Sequence, residues 1–116
     1  MFLHFHYILN DHGEPVLEPD LLKWAAWFEA HYGHPSQEGN IRVACECVGY
    51  YEVSTVFLGL DHSFRPDNPV LWGTMVFGDG PLAGILTRCS GSREQAEAMH
   101  ARMVDKLKAH LSKLTE

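Results

Sequence analysis

Asp61 and His62 stand side by side at the end of the apolar run Val53-Ser-Thr-Val-Phe-Leu-Gly-Leu60. A carboxylate beside an imidazole can tune a proton-transfer pKa toward neutrality, hold a metal or grip a polar ligand. His100 joins them by placement. On a helix begun near residue 92 it shares the face of the apolar residues, so it is expected to turn toward a sheet rather than bulk water. Arg65, in the loop Ser63-Phe-Arg-Pro-Asp-Asn-Pro69, completes a candidate ligand set of Asp61, His62, His100 and Arg65. The plainer interpretation is structural: Asp61 caps a turn, His62 bonds locally and His100 borders the core.

Other chemistry is thinner. His4 and His6 share one face of a strand, as do Cys45 and Cys47, and two thiolates with two imidazoles would suit tetrahedral zinc. No paired CxxC or HxxxH spacing reinforces that set, and the two cysteines read as continuing an apolar face begun by Ile41 and Val43. Neither a Gly-x-Ser-x-Gly elbow nor a phosphate-cradling glycine loop is present. No metal or cofactor is implied. Arg102, Lys106 and Lys113 share one side of the last helix, where they form a solvated face or attract an anion. Trp24, Trp27, Phe28 and Tyr32 crowd one short helix; Trp27 and Trp24 are candidates to meet a partner, against a broad buried face as the alternative.

The elements that must position these residues follow from periodicity. Leu3 to Leu9 reads as a strand closed by the turn Asn10-Asp-His-Gly13. Glu18-Pro19-Asp20 opens a helix that Gly33 and Pro35 end. Ile41 to Val48 is a strand, and Gly49 permits a tight turn into Tyr50 to Leu60. That strand is apolar on both faces, with Val53, Thr55 and Phe57 on one and Val56, Leu58 and Leu60 on the other, so a central strand covered on both sides is expected. Val70 to Phe77 and Leu82 to Cys89 supply two more strands. Ser92-Arg-Glu-Gln95 is a capping box for a helix to about Leu114, whose apolar stripe is Ala96, Met99, Met103, Leu107, Leu111 and Leu114. The order β-α-β-β-β-β-α predicts an α+β fold: an antiparallel sheet of four to five strands with two helices packed on it.

At 116 residues the chain is expected to form one domain, residues 1–116. Its 46% apolar and 21% charged content is ordinary for a globular protein. No run reaches the roughly 20 apolar residues of a membrane span. The opening Met1-Phe-Leu-His-Phe-His-Tyr7 lacks signal-peptide features, so a cytoplasmic protein is expected. Three cysteines argue for reduced thiols. Residues 1–61 carry nine acids and two bases, a balance of -7; residues 62–116 carry six acids and seven bases, a balance of +1. The total of -6 disfavours sequence-independent nucleic-acid binding.

The segment Val53-Ser-Thr-Val-Phe-Leu-Gly-Leu-Asp-His-Ser-Phe64, with Thr74-Met-Val-Phe-Gly78, Arg93-Glu-Gln-Ala96 and His100, resembles a family of small uncharacterised proteins of bacteriophages and prophage-bearing bacteria. The likeness covers roughly residues 50 to 104. Members usually carry Glu where this chain has Gly73, and Tyr-Ser-Thr where it has Cys89-Ser-Gly. The resemblance implies a phage-type accessory protein. The expected function is a noncatalytic binding module, with counter-defence as one use: blocking or sequestering a host protein or a small anionic ligand. One alternative is a small metal-dependent or acid/base enzyme using Asp61, His62 and His100; another is a virion or assembly component. A homo-oligomer, most simply a twofold dimer, is also expected.

Overall fold

The computed structural model describes residues 6–31, 41–61 and 69–114. Eight elements follow in order: β1 (Tyr7–Leu9), β2 (Pro15–Leu17), α1 (Leu21–His31), β3 (Arg42–Val48), β4 (Tyr51–Phe57), β5 (Val70–Gly78), β6 (Leu86–Ser90) and α2 (Arg93–Leu114). They make an α+β fold with two antiparallel sheets: a hairpin of β1 and β2, and a four-stranded sheet in the order β3-β4-β5-β6. No described helix is long and apolar enough to cross a membrane.

The turn at Asn10 does more than end β1. Its side-chain oxygen accepts the backbone N–H groups of His12 and Glu14 at 2.9 and 3.0 Å, an Asx turn that sends the chain straight back as β2. At three residues, β2 is too short to leave a periodic trace in the sequence. Asp20 then caps α1, its carboxylate accepting the N–H groups of Leu22 and Lys23.

Interior strand β4 carries the core. Val53, Thr55 and Phe57 are wholly buried and lie opposite Val76, Thr74 and Trp72 of β5. Above this face runs α2, started by the Ser92 hydroxyl that accepts the N–H of Gln95. It buries Ala96, Met99, His100, Met103, Val104 and Leu107. Full burial of one such side chain, Leu107 for example, contributes about 1.5–3 kcal/mol. Phe57 and Trp72 pack ring to ring at 5.1 Å, and the Trp72 indole donates to the Gly91 carbonyl.

Two expectations need correction. The second face of β4 is not covered as the first is: Glu52 is exposed, while Ser54, Val56 and Leu58 are only half-buried. Both helices are spent on the other face, and an apolar pattern cannot distinguish a covered face from an open one. Cys45 and Cys47, placed with Ile41 and Val43, are instead exposed. The register between β3 and β4 shifts between Arg42 and Ala44, leaving Val43 as an extra residue. One inserted residue reverses the side-chain alternation beyond it. Ile41 therefore reaches the core at one end of β3 and Val48 at the other, while the thiols between them turn outward.

Candidate functional site

His100 lies at the centre of a polar chain crossing the core. Its Nδ1 is 2.7 Å from the Thr55 hydroxyl, which is 2.5 Å from the Thr74 hydroxyl; its Nε2 is 2.9 Å from the Glu46 carboxylate. Both threonines are wholly buried and His100 nearly so, whereas the Glu46 side chain is half exposed. With a neutral imidazole, one proton arrangement satisfies every member. Thr74 donates to Thr55, Thr55 donates to Nδ1, and Nε2–H donates to Glu46. The chain pins α2 to β3, β4 and β5.

Acid, imidazole and hydroxyl in sequence are the parts of an activated nucleophile. Such chemistry requires a reacting atom about 3 Å from the hydroxyl. Thr55 Oγ1 is enclosed by its two partners and the packed face, with no approach for a substrate. The arrangement specifies how the helix sits on the sheet.

The candidates Asp61 and His100 serve different places. Both ring nitrogens of His100 are taken by Thr55 and Glu46. Asp61, only 5% exposed, accepts the Val70 N–H at 3.0 Å and so fixes the start of β5. Burial, helped by the Asp61 charge, pushes the Tyr7 phenol above its usual pKa. His62 and Arg65 lie outside the described residues, as do His4 and Tyr32. Trp24 and Trp27 both pack inward. The Trp24 indole N–H is shared between the carbonyls of Tyr7 and Gly59, and Trp27 stands edge-on to Phe57 and stacks on His31. The large apolar residues that α1 leaves exposed are Leu21 and Leu22.

A shallow groove of about 500 Å³ opens between β6 and α2. Arg88 and Cys89 of β6, Val70 of β5, and Gln95, Ala98 and Arg102 of α2 line it. The helix residues fall at i, i+3 and i+7, one stripe of its surface. Gly91 has φ +98 and lies directly under the Gln95 side chain, where a Cβ would collide with it. Among the described residues neither Arg88 nor Arg102 meets a carboxylate. Burial pushes the Cys89 thiol up, with the Arg102 charge pulling the other way. Arg88 shares its rung with Gly73 and Val56, on the sheet face away from α2, while Arg102 stands on the helix, so the two line the groove from different sides. A guanidinium group in either place can pair with a carboxylate or phosphate group.

Sequence reasoning had marked Arg102 but missed Arg88, whose nearness to α2 depends on β6 being the outermost strand. It also missed the polar chain, although a signal existed. A two-residue turn at Gly49-Tyr50 pairs Val48 with Tyr51, which places Glu46 two rungs and Thr55 four rungs further along on the same face. Among the described residues no group of three or more His, Cys, Asp or Glu side chains could hold a metal. No family model, curated protein or solved structure matches this chain.

Proposed function

We propose that this protein is a noncatalytic binding module that takes an anionic group into the groove between β6 and α2. The observation that carries the reading is the pair Arg88 and Arg102, both exposed and without carboxylate partners among the described residues. In a chain of net charge -6, two such cations lining one groove make a local field opposite in sign to the whole. The enclosed Thr55–His100–Glu46 chain supports binding over catalysis, because the histidine and hydroxyl are committed to each other inside the core. The sequence resemblance adds a setting, a phage-type accessory protein whose anionic target is a host component.

Titration with inorganic pyrophosphate tests the reading. A saturable heat of binding in isothermal titration calorimetry, lost in an Arg88→Glu/Arg102→Glu variant and weakened by salt, is expected. Absence of saturation, or saturation unchanged in the variant, refutes it.

A further inference from the structure

We infer that the groove's ligand is an extended acidic peptide segment, added as a fifth strand along the free edge of β6. This rests on the groove reading above and goes further by naming the ligand's backbone as well as its charge. β6 is the terminal strand in the order β3-β4-β5-β6, and no other described strand pairs with its second edge. An antiparallel edge strand directs the N–H and C=O groups of alternate residues outward, where they seek partners. Here that edge borders a groove with a helix as its far wall, so an incoming strand at the usual spacing of about 4.8 Å would lie beneath α2. Backbone pairing of this kind supplies affinity, and side-chain pockets supply choice.

The choice is set by charge and size. Arg88 lines the groove from β6 and Arg102 from α2, and the short side chains of Ala98, Cys89 and Val70 complete the lining. A peptide carrying carboxylates beside small apolar residues fits this lining. The length of β6, five residues, admits about five residues of partner. A second copy of β6 fits worse. Arg88 is the middle residue of the strand, so antiparallel self-pairing centred there sets two guanidinium groups directly opposite each other, which destabilises such a pair.

The test uses the full chain and a fluorescein-labelled, end-blocked hexapeptide of sequence Val-Glu-Glu-Val-Glu-Val. Two versions are compared with it, N-methylated at odd or at even residues. Strand addition uses the amides of one alternate set only. One methylated version is therefore expected to bind about tenfold or more weakly, and the other close to the parent. Arg88→Glu/Arg102→Glu is expected to weaken the parent about tenfold or more, with its thermal melt confirming that it still folds. Equal effects of the two methylation patterns, with binding still dependent on the arginines, overturn strand addition and leave the anion reading standing. No binding of the parent peptide while pyrophosphate binds overturns it likewise. Peptide binding indifferent to the arginines, or self-association through β6 in place of peptide binding, overturns both.

Discussion

Thr55 and Thr74 are chemically identical, equally buried and directly opposite each other, yet the polar chain predicts different costs for losing them. Thr55 is bonded on both sides; Thr74 ends the run. Thr55→Val leaves the Thr74 hydroxyl and His100 Nδ1 buried without their partner, at about 1–3 kcal/mol each. The added methyl group returns about 0.8 kcal/mol by burial. The net loss should be roughly 2–4 kcal/mol. Thr74→Val strips one bond and leaves Thr55 still donating to His100, so the same methyl gain brings the net to about 0–1 kcal/mol. The double variant should be more stable than Thr55→Val alone, because the stranded Thr74 hydroxyl is gone. Urea denaturation followed by tryptophan fluorescence and far-UV circular dichroism measures all three, with unchanged m values as the check on a two-state comparison. Equal losses for the two single variants, or a Thr55→Val loss below about 1 kcal/mol, would refute the chain's direction and its role.

Other perturbations test other parts of the structure. Phe57→Ala, between Trp72, Trp27 and α2, should cost about 3–5 kcal/mol in the same urea assay. Gly59→Ala should destabilise measurably in that assay, since Gly59 has φ +75 and a Cβ would come within 2.6 Å of the Phe28 ring. In native protein Cys45 and Cys47 should react with a thiol reagent before half-buried Cys89, a ranking that alkylation with mass spectrometry reads directly. Burial, then the hydrogen bond and charge of Glu52, push the Cys45 thiol up. At pH 8 less of it is thiolate than in a free cysteine, so Glu52→Gln should speed Cys45 alkylation and shift its pH profile to lower pH.

Much of the fold was legible because its signals are local. The Ser92–Gln95 capping box, the Gly49 turn and the helical spacing from Ala96 to Leu107 each specify their element without knowledge of the rest. The alternation in β4 assigned Val53, Thr55 and Phe57 to one face correctly. What alternation could not reveal was which face the helices would choose, or that an extra residue at Val43 would turn the cysteines outward. The site was less legible for the same reason. His100 was rightly expected to face the sheet, but its partners Thr55 and Glu46 depend on strand register. The groove depends on which strand ends the sheet. Arg88 and Arg102 come to line one groove only through the pairing of β5 with β6 and the passage of α2 over both.

Amide hydrogen exchange along β6, with and without the acidic hexapeptide, tests the central claim most directly. Strand addition should slow one alternating set of amides among Leu86–Ser90, leaving the set already bonded to β5 unchanged. Shifts at the Arg88 and Arg102 side chains without new protection anywhere in β6 would contradict it.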